Sequence, residues 1–269
     1  MGGNSNYNSM QVSLERRFAQ ELFMQVSYTL SRAMGTTNGS DGDFVRIDEF
    51  HKAANYGPLA FHRKHNLVVN SIYELPRLSR FADGNKVVGF FGDNWQLSGI
   101  YQFQSGAPYG VGFSIPGIGS IQLTGSNTEG SRARVLGDSG VGNNNDDPYR
   151  QFNTAAFTAP LPGSLGLESG RNYLIGPGIN NFDFSLQKAF PLGETTRFEL
   201  RLDAFNAFNH TQFGAVNATL NVTSLTNPTP TNLPFDSSGN FIPGNRNGFG
   251  TVSVARDPRI LQMVAKFIF

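Results

Sequence analysis

Apolar residues recur at every second position in stretch after stretch of this chain. Met10, Val12, Leu14 and Phe18 form one stripe, with Gln11, Ser13, Glu15 and Arg17 opposite. Leu22, Met24, Val26, Tyr28 and Leu30 form the next, against Gln25, Ser27, Thr29 and Ser31. Leu67, Val69, Tyr73 and Leu75 follow, then Trp95, Leu97, Tyr101 and Phe103 against Gln96, Ser98, Gln102 and Gln104. Phe182, Phe184, Leu186 and Phe190 oppose Asp183, Ser185 and Gln187, and Phe198, Leu200, Leu202 and Ala204 oppose Arg197, Glu199, Arg201 and Asp203. The last stripe is Leu261, Met263, Ala265, Phe267 and Phe269, on which the chain ends. Side chains of a strand alternate between its faces, so period two predicts strands with one apolar and one polar face. Helical periodicity is nearly absent.

The final strand has the ~9–11 residues that cross a bilayer. An apolar face opposite a mixed one, closing on an aromatic, fits a strand with lipid on one side and a water-filled lumen on the other. The charges at Arg197, Glu199, Arg201 and Asp203 assign the faces. Arg or Lys placed at the bilayer midplane of a barrel costs ~2–4 kcal/mol. These four side chains are therefore expected to face the lumen, and Leu261, Met263, Ala265, Phe267 and Phe269 to form a membrane-insertion signal. Keeping the stripes of hairpin 181–206 on one face requires paired residues to sum to an even number, and the short turn suggests 388. That places Leu186 beside Leu202 and Ser185 beside Asp203.

Connection lengths alternate. Residues 19–21 and 191–197 are tight, whereas 33–61, 107–179 and 209–258 are long and rich in Gly, Asn, Pro and Ser. Short periplasmic turns with long extracellular loops characterise outer-membrane barrels. Segment 76–92 falls on the short side yet is longer than that pattern allows. Short additional strands are expected near Tyr109–Ile115, Ala155–Ala159 and Phe249–Val254. Aromatics cluster near strand ends, with Phe18, Tyr73, Trp95, Phe190, Phe198 and Phe269 on the periplasmic side and Tyr101, Phe103 and Phe182 on the other, as two interfacial girdles.

Composition supports this picture. Charged residues make up 15% of the 269, well below a typical ~25%, and hydrophobic residues 39%. A lipid-facing band with uncharged polar loops explains both deficits. Lys+Arg 21 against Asp+Glu 20 leaves no basic surplus for nucleic acid, and the absence of cysteine excludes disulfide scaffolds and thiolate chemistry. No apolar run reaches the ~18 residues of a transmembrane helix. The polar start, Met1-Gly2-Gly3-Asn4-Ser5, carries no signal-peptide pattern, so the chain reads as part of a longer exported protein.

Sharper motifs are weak. Gly137-Asp138-Ser139-Gly140 matches the core of a trypsin-like serine signature, but none of His51, His62, His65 and His210 has an active-site context. His62 and His65 fall on opposite strand faces and cannot share a metal. Asn143–Asp147 lacks the closing glutamate of a calcium loop. Gly110-Val111-Gly112 and Gly176-Pro177-Gly178 precede no helix that would cradle phosphate. No enzymatic activity, cofactor or metal is expected.

Several blocks carry a family resemblance: Tyr7-Asn8-Ser9-Met10-Gln11-Val12, Trp95-Gln96-Leu97-Ser98-Gly99-Ile100, Gln104-Ser105-Gly106-Ala107-Pro108 and Arg171-Asn172-Tyr173. Gly176-Pro177-Gly178-Ile179-Asn180-Asn181-Phe182-Asp183-Phe184-Ser185-Leu186, Phe205-Asn206-Ala207-Phe208-Asn209-His210 and Ala255-Arg256-Asp257-Pro258-Arg259 belong with them. Together they resemble the C-terminal barrel of TonB-dependent outer-membrane receptors, closest to the Oar-like group with an N-terminal carboxypeptidase-regulatory-like domain. The resemblance implies an integral outer-membrane protein that imports a large solute. Its implied partners are outer-membrane lipid, the rest of the barrel and its plug, the TonB energy-transducing complex and the barrel-assembly machinery. Family barrels have about 22 strands. The stripes here therefore imply an all-β, antiparallel, partial barrel of about 7–10 strands over residues 1–269, an arc that is not closed. Plug, regulatory domain and signal peptide are expected to be missing, and no ligand residues carry over. The alternative is a soluble or surface-attached β-sandwich that binds ligand or matrix.

Overall fold

The computed structural model describes residues 4–18, 21–36, 52–119, 123, 130–140 and 147–269. Each predicted stripe is a strand. They are β1 (Ser5–Phe18), β2 (Leu22–Gly35), β3 (His65–Glu74), β4 (Trp95–Gln104), β5 (Ile179–Pro191), β6 (Arg197–Phe205) and β7 (Ile260–Ile268). All lie in one antiparallel sheet in chain order, each bonded to the next, and Gly57–Pro58 adds a short eighth strand against β2. β1 and β7 are the two edges and do not pair with each other, so the sheet is open.

The register keeps every stripe on the same side. Leu22, Tyr73, Leu97, Leu186, Leu202 and Met263 are successive partners from β2 to β7. One position along, Phe23, Ile72, Ser98, Ser185, Asp203 and Gln262 make the corresponding row of the other face. Both expected pairs of the β5–β6 hairpin, Leu186 with Leu202 and Ser185 with Asp203, are present. A slip by one residue would exchange the two faces completely, which is why polarity fixes the register so firmly.

At one end of the sheet the connections are brief. Leu192 N and Gly193 N both donate to Thr196 O in the β5–β6 turn; Ala19 and Gln20 lie outside the described residues. The long connection at this end, 75–94, is helical: a 3₁₀ turn over Leu78–Phe81 and α1 over Lys86–Gly92. The Asn85 side chain caps α1 by accepting from Val87 N and Val88 N. Ser79 N donates to Asp93 Oδ1 at 2.9 Å and closes the excursion on itself. Helical structure was not legible here because the element is only seven residues long.

At the other end the long loops build a body of their own. Apart from Ala33 and Leu59, all of the buried apolar residues among those described lie in 105–178 and 206–259. Phe113, Leu174, Leu220 and Phe249 are almost wholly enclosed. Phe152, Phe157 and Phe249 meet edge to face at centroid distances of 5.0–5.7 Å, an arrangement that adds to plain burial. Short strand pairs knit this cap: Pro108–Tyr109 with Leu174–Ile175, Arg134–Val135 with Phe157–Thr158, and Gly112–Ser114 in parallel with Thr219–Asn221. Two of the three expected extra strands therefore exist; at 249–254 there is only a bridge from Val252 to Val216.

The cap leaves the sheet through a pinch. A Cβ at Gly106 would lie 1.7 Å from Gly176 O, and one at Gly178 2.6 Å from Gln104 O. Glycine is needed at both because the two backbones cross in contact. Gly176 N donates to Ala107 O at 2.8 Å across the pinch.

Candidate functional site

The polar face of the sheet is organised by β6. Arg197 Nε lies 2.6 Å from Glu199 Oε1, and Arg201 Nε 3.1 Å from Asp203 Oδ2. Ser185 of β5 donates to the second oxygen of Asp203 at 2.6 Å. Lys266 of β7 stands directly across the register from Glu199. Asp183 Oδ1 accepts from Asn181 Nδ2 and from Asn206 N, both at 2.9 Å. Arg197, Glu199, Arg201 and Asp203 thus share one face of the sheet, in alternating sign along one strand. This face is also hollow: a cavity of about 460 Å³ is bordered by Asn70, Ile72, Ser98, Asp183, Arg201 and Asp203.

The opposite face is apolar from β1 to β7 and largely uncovered. In the C-terminal strand Leu261, Met263, Phe267 and Phe269 are exposed, Phe269 by 92%. Aromatics gather at the short-turn end of this face: Phe190 on Phe198 at 6.1 Å and Phe267 on Phe269 at 6.1 Å. The stripe is interrupted near its edge by Arg16 of β1 and Arg32 of β2, and in mid-sheet by a lysine of β5 that the period-two pattern did not mark. Lys188 lies between Leu186 and Phe190 on the apolar side, opposite Leu200 and Trp95.

Two buried arginines hold the cap to the loop after β2. Arg132 donates through Nη1 to Ala54 O (2.7 Å) and Ser169 O (3.0 Å), and through Nη2 to Asn55 Oδ1 (2.6 Å). Arg171 donates to Thr36 O at 2.5 Å, and Asn172 Nδ2 to Pro58 O at 2.9 Å. The Arg171-Asn172-Tyr173 block is therefore a clamp. Burial raises the hydroxyl pKa of Tyr173 and Tyr109 above the ordinary phenol value. The Asn206-to-His210 block is a second staple. Asn206, in the left-handed region at φ 49°, accepts from His210 N and donates to His210 O, both at 3.0 Å, and Asn209 Oδ1 accepts from Arg259 N.

Between cap and sheet lie two cavities. One of about 660 Å³ is bordered by Phe103, Gln151, Asn180, Phe208, His210 and Gln212. A smaller one of about 300 Å³ is bordered by Arg63, Ser105, Tyr109, Gly178 and Arg256. No sequence signal marked either, because each draws on segments far apart in the chain.

The weaker motifs resolve into local structure. Ser139 is buried, its carbonyl accepts from Asn153 N, and Gly140 N donates to Asp138 Oδ1 in a turn. His62 lies in the loop before β3 and not on the strand, which begins at His65; its Nδ1 accepts from Ala33 N at 3.2 Å, while His65 Nδ1 meets Tyr28 Oη at 2.8 Å, so the two rings have separate partners. The Gly176-Pro177-Gly178 stretch serves the pinch described above. His51 and 143–146 lie outside the described residues.

The family model of the outer membrane beta barrel domain matches residues 1–262. The chain belongs to that family. It is an integral outer-membrane β-barrel segment, and the soluble sandwich is set aside: among the described residues no second sheet covers the apolar face. No curated protein and no solved structure matches it.

Proposed function

We propose that this outer-membrane barrel domain is the C-terminal part of a TonB-dependent transporter of the Oar-like group, importing a large solute. The observation that carries the reading is the division of labour in one sheet: a continuous apolar face for lipid, a hollow charged face for a lumen, and packed loops at one end alone. Arg197, Glu199, Arg201 and Asp203 then belong to the lumen wall, where mixed charge holds water without trapping one sign of solute. Leu261, Met263, Ala265, Phe267 and Phe269 meet lipid. The cap lies outside the cell, and its cavities are where solute is first held. The edges at β1 and β7 require completion, because backbone groups in hydrocarbon must all be paired. Further strands of the same receptor's barrel supply it, and its plug and TonB-contacting segment couple it to the inner membrane.

The test is genetic. Deleting the receptor gene and deleting tonB should abolish uptake of the same solute from a panel of large glycans, peptides and metal chelates. Loss of an uptake that persists without TonB would overturn the proposal.

A further inference from the structure

The excursion over 75–94 folds back onto the apolar face of the sheet. Phe90 packs on Phe190 with centroids 5.2 Å apart, and Trp95 Nε1 donates to Phe91 O at 2.9 Å. Beneath it sits Lys188, only 3% exposed. Its ammonium donates to Asp93 O and lies 4.8 Å from the Phe190 ring and 5.7 Å from the Trp95 ring. The excursion is what removes this cation from the lipid-facing stripe.

Its outer side is unusual for a water-exposed segment. Leu78 is 51% exposed, Phe81 82%, Val87 67% and Phe91 65%. Arg77, Arg80 and Lys86 are exposed among them, and none of the three is in an ion pair among the described residues. Apolar side chains interleaved with exposed cations, continuous with a lipid-facing surface, are what a segment lying in a membrane interface presents. Cations at that depth gain from anionic headgroups.

We propose that residues 75–94 are a membrane-interface anchor, with Phe81, Val87 and Phe91 inserted at the periplasmic leaflet and Arg77, Arg80 and Lys86 on anionic phospholipid headgroups. This rests on the reading that the apolar face meets lipid. It gives the excursion a function that a simple turn would lack, fixing the height of the barrel wall in the bilayer.

Trp95 is the chain's one tryptophan, so a clean probe is available. The completed barrel, with Trp95→Phe and any tryptophan outside these residues also changed to Phe, is reconstituted into phosphatidylcholine vesicles containing phosphatidylglycerol, with Phe81→Trp in one sample and Met263→Trp in another. Both tryptophans should emit at short wavelength and be quenched by brominated lipid. For position 81, brominated phosphatidylglycerol should quench roughly twofold or more better than brominated phosphatidylcholine. That preference should vanish when Arg77, Arg80 and Lys86 are all changed to Gln. Quenching at 263 with water-like, unquenched emission at 81 would overturn the anchor alone. Absence of quenching at both would overturn the lipid-facing reading beneath it. Equal quenching by the two lipids would remove the anionic partner.

Discussion

The sheet and the cap use the same kinds of residue in opposite ways. In the sheet the most regular backbone leaves its apolar side chains uncovered, with Met263 79% exposed. In the cap an irregular backbone encloses them, with Leu220 and Phe249 at 0%. The sheet is finished by solvent of another kind, the bilayer; the cap, facing water, must complete its own core. The lesson is that regularity and burial are separate properties. A lipid-facing strand needs hydrogen bonds from its neighbours and nothing over its side chains.

Matched substitutions test that contrast most severely. Leu220→Ala in the cap should cost about 2–5 kcal/mol, transfer loss plus an unfilled cavity. Leu261→Ala in β7 should cost roughly 1–2 kcal/mol, since acyl chains close over the gap. Denaturant unfolding of the protein in vesicles measures both, and equal costs would break the comparison. Next comes polarity on adjacent positions of β6. Leu202→Arg should destabilise by ~2–4 kcal/mol, and Arg201→Leu, which loses one partly exposed ion pair with Asp203, by about 1 kcal/mol or less. A reversed order would show that the faces are assigned the wrong way round.

Assembly should respond to the chain end. Deleting Phe269, or changing it to Asp, removes an exposed ring that stands with Phe267 at the short-turn end. Outer-membrane yield should fall while synthesis and export persist; Lys266→Gln, on the polar face, should leave yield unchanged. Equal yields for wild type and the deletion would count against an insertion signal.

The smallest effect is a pH response confined to the cap side. His62 has its pKa lowered from 6.5, first by burial and then by Arg63, Arg32 and Lys64. The unfolded loop takes up a proton that the folded one resists, so this contribution is present above pH 6.5 and declines as pH falls below it. Protonation also removes the Nδ1 lone pair that accepts from Ala33 N. The hydrogen-exchange protection factor of the Ala33 amide should drop between pH 7.5 and 5, and amides of β5 should hold theirs.

The sheet was legible in the sequence because period two is a local signal. Leu186 to Leu202 could be paired from parity and a short turn, and every stripe became a strand. Lys188 escaped because one cation inside an apolar stripe reads as noise until the segment covering it is known. The cap core escaped for a different reason. Phe113, Phe152, Phe157 and Phe249 follow no period, and their contacts join residues as distant in the chain as Phe152 and Phe249 or Phe113 and Leu220. Their one local trace is a scatter of phenylalanines in loops otherwise rich in Gly, Asn and Pro. Asn206 and Arg171 stood in blocks noticed for resemblance alone; their roles as staple and clamp needed coordinates.

The parallel pairing of Gly112–Ser114 with Thr219–Asn221 has a consequence for how such barrels diversify. The first strand belongs to the loop between β4 and β5, the second to the loop between β6 and β7. The pinch at Gly106 and Gly176 makes the first loop look detachable, since it leaves and returns at one point. Yet replacing it by itself would strip the neighbours from Leu220 and Val222, which sit in the shared core. The two loops are one unit of exchange. A chimaera that takes both from a related barrel should fold, and one that takes either should not.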